Sequence, residues 1–141
     1  MEFKKILVPV IGTEADDEAV RLACQLAKKG KAKIRAVYVI ILQRTLPLNA
    51  KVESEIKAAE DILDHAESVA EERDCKLETG LLQAREAGPT IVDEAVEHGV
   101  DLILMGVKYK WRFGQFSLGD VVPYVLKNAP CRVILYHQHI V

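Results

Sequence analysis

The chain has 141 residues, half of them hydrophobic, and 19 basic residues against 21 acidic ones give a formal net charge of −2. This length and apolar content suit one domain, residues 1–141, with a buried core. The near-neutral balance excludes a global field that would draw the protein onto nucleic acid or an anionic membrane.

Cellular location is indicated by the cysteines and by the apolar runs. Cys24, Cys75 and Cys131 lie far apart and lack the paired spacing of a zinc site or a dithiol redox motif. We interpret them as reduced core thiols of a cytosolic protein. The lysines near the start precede an apolar segment too short for a signal peptide, and the longest apolar run, residues 36–42, is too short for a bilayer. We therefore expect a soluble cytoplasmic protein with no membrane partner.

The first part of the chain predicts two strands and a helix. The run "KKILVPV", residues 4–10, is apolar and closes at Gly12, which is typical of a strand buried on both faces. From Thr13, a plausible N-cap, apolar residues recur at helical spacing up to Gly30. Residues 32–40 predict the second strand, and a loop over residues 41–48 follows.

The remaining elements continue the alternation. Residues 49–74 carry an apolar stripe and predict a long helix, and "CKLETGLL" predicts a third strand. A helix over residues 88–99 is followed by "DLILMG", the clearest buried strand. After a long loop, residues 121–128 predict a short helix and "CRVILY" a fifth strand.

Strands that alternate with helices predict a parallel sheet with right-handed crossovers. We therefore expect an α/β fold: a single-domain, open, doubly wound sheet of five parallel strands with helices on both faces. In such sheets ligands bind beyond the carboxyl ends of the strands, where the winding direction reverses. The loops that start at Ile11 and Gly106 become the prime candidates for a site.

Three segments together resemble the universal stress protein family: "KKILVPV" followed by glycine, "DLILMG", and "LGDVVPYVLKNAPCRVILY" near the end. The likeness covers essentially the whole chain. It implies a small regulatory or stress-response protein without catalytic residues, which works as a homodimer and through other protein partners. Members of this family commonly dimerise through the last strand, and "CRVILYHQHIV" offers an apolar edge for such pairing.

The resemblance also defines a nucleotide motif from which this chain departs. Nucleotide-binding members carry glycine, two residues, glycine, nine residues, then glycine and a hydroxyl residue. Gly106 and Gly119 match the first and third glycines, whereas Tyr109 and Asp120 replace the second glycine and the hydroxyl residue. Ile11 stands where ATP-binding relatives usually have aspartate. The motif is degenerate, and we expect weak ATP binding or none.

Asp120 has a direct physical consequence at the predicted helix start. As an N-cap, its carboxylate would accept hydrogen bonds from the amides that a phosphate needs, and it would repel that phosphate. Lys108, Lys110 and Arg112 offer the alternative: cations that hold the phosphates of ATP in an adenine-nucleotide binder or slow ATPase with an altered loop. No cofactor is our first expectation and ATP is the alternative.

Candidate binding residues combine this loop with apolar positions that suit an adenine pocket. They are Pro9, Val10, Ile11, Val39, Met105, Gly106, Val107, Lys108, Gly119 and Asp120.

Other motifs have simpler explanations. The stretch "KYKWRF" suits a single-stranded nucleic-acid platform, but six residues are weak evidence, and aromatic packing with solvated cations is the preferred interpretation. Gly114 lies three residues before Ser117, where a nucleophile elbow needs two. We expect neither a nucleic-acid partner nor a hydrolase.

The candidate metal and acid clusters also have simpler explanations. His137 and His139 suit one face of the last strand, but two ligands do not make a metal site, and a solvated tail is preferred. The acidic run from Asp16 to Glu18 fits the first turn of a helix, where it stabilises the helix dipole. We therefore predict no metal site and no catalytic residue.

Overall fold

The computed structural model describes residues 2–108, 110–112, 115–117 and 119–137. Within them the elements follow in the order β1 Lys5–Pro9, α1 Glu14–Gly30, β2 Lys33–Ile41, α2 Glu53–Glu71, β3 Leu77–Ala84, α3 Ala87–Glu97, β4 Leu102–Val107, β5 Lys110–Arg112, β6 Gln115–Ser117, α4 Val121–Asn128 and β7 Arg132–His137. Among the described residues, no helix is long and apolar enough to cross a membrane.

Five strands form one sheet in the order β3-β2-β1-β4-β7, and every neighbouring pair is parallel. The chain winds from β1 towards β3 and then returns to add β4 and β7 on the other side. The winding direction therefore reverses between β1 and β4. This sheet, with its four described helices, confirms the predicted doubly wound α/β fold.

The core has two layers because adjacent strand residues point to opposite faces. Ile6 and Val8 of β1 belong to the cluster that α1 and α2 cover, whereas Leu7 between them belongs to the cluster under α3 and α4. Ile103 and Leu104 of β4 divide in the same way. Burial on both faces explains why these strands are continuous apolar runs.

Both predicted boundaries of the long helix were wrong. The long helix was expected over residues 49–74, but α2 spans Glu53–Glu71. The predicted beginning of this helix forms a turn instead. Gln83 of β3 stabilises the turn, because its Nε2 donates hydrogen bonds to the carbonyl oxygens of Leu48 at 3.0 Å and Ala50 at 2.9 Å. The predicted end of the helix contains Asp74 at φ 51°, a left-handed conformation that ends a helix.

The loop between β4 and α4 also differs from the expectation. It contains a short antiparallel hairpin in which β5 pairs with β6, apart from the main sheet. The side chains of Lys110, Arg112 and Ser117 lie outside the described residues, as do Tyr109 and His139. The interpretations of the aromatic stretch, the serine and the histidine pair therefore remain predictions.

Candidate ligand cleft

A cleft of about 390 Å³ opens where the winding of the sheet reverses, at the ends of β1 and β4. All ten residues that the sequence selected line it: Pro9, Val10, Ile11, Val39, Met105, Gly106, Val107, Lys108, Gly119 and Asp120. Val37, Ile91 and Val122 complete its apolar walls. The fold thus gathers into one cavity residues that are more than a hundred positions apart.

Gly106 lets β4 approach the first turn of α1. A Cβ atom at this position would lie 2.1 Å from the carbonyl oxygen of Ala15 and 2.5 Å from its carbonyl carbon. Both are backbone atoms, so a side chain would have to displace the helix. The first glycine of the motif therefore has a packing role that is independent of any ligand.

Gly119 is required for a different reason. Its φ is 73°, in the left-handed region that side chains disfavour. Space is not the constraint, because a Cβ atom at this position would meet no atom of the described residues within 4 Å. The last glycine of the motif thus sets the backbone path into α4.

Asp120 does not cap α4 in the predicted way. Its side chain makes no capping hydrogen bond within the described part of the chain, and the residue is exposed. The reason is its helical backbone, φ −96° and ψ −29°, since a side chain reaches the first amides from an extended N-cap. The expectation that Asp120 satisfies these amides was therefore wrong. Its negative charge nevertheless lies on the lining of the cleft.

Asp16 is the residue of the cleft lining whose buried carboxylate the sequence interpretation missed. Its Oδ2 accepts hydrogen bonds from the backbone amides of Ile11 at 2.9 Å, Gly12 at 2.6 Å and Thr13 at 3.0 Å. The residue is only 4% exposed and lines the cleft. A signal was present in the spacing, because an acidic residue three positions after a threonine N-cap can bond back to the N-cap amide.

Burial controls the charge of this carboxylate. It raises the pKa of Asp16 above the usual 3.8, an effect that the three amide bonds partly offset and the charge of Asp17 increases. Oδ1 is buried and has no hydrogen-bond partner among the described residues. Because Oδ2 already binds the three amides, the loop between β1 and α1 does not present them to an external anion.

Of the other two acidic residues of the run, Asp17 lies in the first turn of α1 as predicted, whereas Glu18 lies beyond it. The Asp17 carboxylate lies 3.0 Å from Nε2 of His65, and Glu18 pairs with Arg21 at 2.7 Å. Neither takes part in the contacts that hold the loop.

Charge at the cleft is mixed. Among its described lining residues Lys108 is the cation, and Asp16 and Asp120 are the acidic groups. Ile11 is 68% exposed and supplies neither a hydrogen-bond acceptor nor a metal ligand from its side chain.

One cluster outside the cleft has metal-ligand spacing among the described residues: Glu94, Glu97 and His98. Glu94 is already engaged, since its Oε2 lies 2.8 Å from Nε of Arg35 and its Oε1 3.4 Å from Nε2 of His98. No residue of this cluster lines the cleft. The arrangement is that of a buried ion pair.

Comparison with known proteins gives consistent results. The sequence model of the Universal stress protein family matches residues 2–137. A universal stress protein of Methanocaldococcus jannaschii is 31% identical over 139 residues, which cover 94% of this chain and 81% of that protein.

Two solved structures share the fold. The universal stress protein of Archaeoglobus fulgidus in complex with dAMP has a TM-score of 0.73 and 24% identity, with coverage of 96% of this chain and 98% of that one. A universal stress protein in complex with cAMP has a TM-score of 0.71 and 20% identity, with coverage of 97% and 98%. The match of the family model over nearly the whole chain, together with the curated relative, shows that this protein belongs to the universal stress protein family.

Proposed function

We propose that this chain is a non-enzymatic, regulatory universal stress protein whose cleft binds an adenine nucleoside monophosphate and holds a triphosphate weakly or not at all. The observation that carries the proposal is the composition of the cleft: apolar walls around a cavity of about 390 Å³, with an exposed carboxylate at the start of α4. The family members whose structures contain dAMP and cAMP supply the ligand class.

The base and ribose are accommodated by the apolar side of the cleft. Small-molecule pockets commonly have volumes of about 300 to 1,000 Å³, apolar walls and a few polar groups that fix orientation. Val37, Val39 and Met105 provide such walls, and the ends of β1 and β4 bring backbone groups to the same cavity. This part of the site resembles what an adenine requires.

The part of the cleft that would receive the phosphates differs from a site that binds a triphosphate. The helix N-terminus that attracts phosphate carries Asp120, whose charge opposes each added phosphate group. The amides of Ile11, Gly12 and Thr13 are already bound to Asp16. Lys108 remains to contact one phosphate.

A second candidate function is that of an ATP binder or slow ATPase with an altered phosphate loop. It is favoured by one observation, the position of Lys108 on the lining of the same cleft. Lys110 and Arg112 lie on β5 close along the chain and would add charge. This candidate requires ATP affinity to depend on these cations.

Calorimetric titration with AMP, cAMP and ATP, the last with and without Mg²⁺, separates the two candidates. We expect AMP to bind at least about tenfold more tightly than ATP, because each added charge meets Asp120. Micromolar ATP binding that Lys108→Ala weakens, or phosphate release from ATP above the rate without protein, would favour the second candidate. Mass spectrometry of small molecules released from the purified protein gives an independent identification of the ligand.

The proposed homodimer uses β7. This strand is at the edge of the five-stranded sheet, and Ile134 and Tyr136 on it are half-buried. An edge strand exposes unpaired backbone groups that a second copy can bind. The pairing of two such edges about a two-fold axis would extend the sheet across the dimer.

A further inference from the structure

Two of the three cysteines pack into one core cluster although they are 51 positions apart in the sequence. Cys24 lies on α1, is 1% exposed and belongs to the core cluster between the sheet and α1 and α2. Cys75 follows α2, is partly exposed and packs against the same cluster. Their side chains lie close enough there for Cys75 to act on the Cys24 thiol.

The backbone holds Cys75 in this position. Its N–H donates to the carbonyl oxygen of Ala70 at 3.0 Å, across the end of α2. The preceding residue, Asp74, turns the chain with φ 51° before β3 begins at Leu77. Cys75 is therefore fixed at its backbone, in the segment between α2 and β3.

The two thiols differ in accessibility. Cys75 lines an open surface cleft of about 480 Å³ that a small oxidant can enter. Cys24 faces the core, and its burial, followed by the effect of the neighbouring Cys75 side chain, raises its pKa to about 12. Cys24 alone is thus a poor nucleophile, whereas Cys75 is the sulfur that solvent reaches first.

We propose that Cys24 and Cys75 form an intramolecular disulfide when the protein meets a hydroperoxide, which makes this pair an oxidative modification site. The bond would link α1 to the segment between α2 and β3. This inference is independent of the proposed ligand, because Cys24 lies ten residues, about 15 Å along the helix axis, from the end of α1 that meets the cleft.

The chemistry proceeds in two balanced steps. The Cys75 thiolate attacks the terminal oxygen of the hydroperoxide, the O–O bond breaks, an alcohol or water leaves, and a sulfenic acid remains on Cys75. The Cys24 sulfur then attacks the Cys75 sulfur, the S–S bond forms, and the displaced hydroxyl takes the Cys24 proton and leaves as water. In total, two thiols are oxidised and one peroxide is reduced.

Cys131 serves as an internal reference. Its thiol faces Asp101 and the backbone of Ile103 rather than another cysteine, and burial raises its pKa. A specific reaction of the pair should therefore leave Cys131 as a thiol.

The full-length reduced protein is treated with hydrogen peroxide or tert-butyl hydroperoxide, denatured, labelled with N-ethylmaleimide and analysed by intact and tryptic mass spectrometry. We expect a monomer that has lost two hydrogen atoms and takes up one maleimide instead of three. Trypsin should release residues 22–28 covalently joined to residues 74–76, while residues 128–132 carry the label. Cys131→Ser should form the same bond, and Cys75→Ser should form none.

Three results would overturn the proposal. One is sulfinic acid on Cys75 while Cys24 still takes up maleimide, and another is a disulfide between two molecules through Cys75. The third is a monomer that still takes up three maleimides after peroxide treatment. Free cysteine added to the same tube is the control, and its oxidation shows that the peroxide was active. The wild-type protein suffices for all three, so the test does not depend on whether a cysteine variant folds.

Discussion

The two glycines that match the family's motif act through different forces, and this difference is measurable. Gly106→Ala places a methyl group against the backbone of Ala15, so we expect a loss of about 2–4 kcal/mol in the free energy of unfolding. Gly119→Ala has room for its methyl group among the described residues, and only its left-handed backbone is strained, at about 1 kcal/mol. Urea unfolding of both variants is the measurement. Equal losses would contradict these separate roles.

Asp16 is the residue on which the loop between β1 and α1 depends. Asp16→Ala leaves the amides of Ile11, Gly12 and Thr13 without their acceptor, and we expect it to cost about 2–4 kcal/mol of unfolding free energy. Asp17→Ala, its matched control, removes a contact with the exposed His65 and one negative charge from the first turn of α1, and it should cost less than about 1 kcal/mol. Chemical denaturation compares the two. A loss at Asp16 no larger than that at Asp17 would refute the role of the buried carboxylate.

The pH dependence of Asp16 has a definite sign. Burial raises the pKa of its carboxyl above 3.8, so folding disfavours the ionised form. The stability of the wild type relative to Asp16→Asn should therefore be greatest below the unfolded pKa and fall as pH rises through the folded pKa. Carbon-13 NMR titration of the carboxyl group gives the pKa directly. A midpoint below 3.8 would mean that the three amide bonds outweigh burial.

At the scale of elements, the turn before α2 depends on contacts from a distant strand. Gln83→Ala removes two hydrogen bonds to the carbonyl oxygens of Leu48 and Ala50. We expect amide hydrogen exchange over residues 43–52 to become roughly tenfold faster, because each bond contributes about 1 kcal/mol. The control is Gln43→Ala, since Gln43 accepts hydrogen bonds from Arg85 and Leu46 through its backbone carbonyl oxygen, which alanine keeps. Unchanged exchange in Gln83→Ala would show that the turn is held by other contacts.

The same turn explains what sequence patterns can and cannot predict. The apolar residues within 49–74 recur at helical spacing, but α2 begins only at Glu53. The turn before it accepts a hydrogen bond from Gln83, which lies 33 positions after Ala50 in the sequence. The buried strands were predictable because burial on both faces leaves an uninterrupted apolar run, as in "DLILMG". The residues that line the cleft were predictable as neighbours because parallel strands end at the same edge.

The backbone conformation of Asp120 could not be predicted from the sequence. An aspartate before a helix is a usual N-cap, but Asp120 has helical φ and ψ and makes no capping hydrogen bond to the described residues. Asp16, by contrast, belongs to an acidic run that suits any first turn, and composition alone does not reveal that one carboxylate is buried.

At the scale of the whole molecule, the proposed dimer predicts the mass of the particle in solution. Sedimentation equilibrium should give twice the chain mass of 15.7 kDa. Tyr136→Lys on β7 should shift the protein towards monomer, because a lysine on an edge strand opposes pairing. Glu78→Lys on β3, the opposite edge of the sheet, is the control and should remain dimeric. A wild type that sediments as monomer at micromolar concentration would exclude this assembly.

The central claim is that the charge of Asp120 limits what the cleft binds to a ligand with few phosphates. Its most direct test is the ratio of ATP to AMP dissociation constants in the wild type and in Asp120→Ser, which restores the hydroxyl residue of the family's motif. We expect the wild type to bind AMP more tightly than ATP, and the serine variant to reduce that preference by about tenfold, since one negative charge is lost near the phosphates. A wild type that binds ATP as tightly as AMP, with a ratio that Asp120→Ser leaves unchanged, would contradict the account.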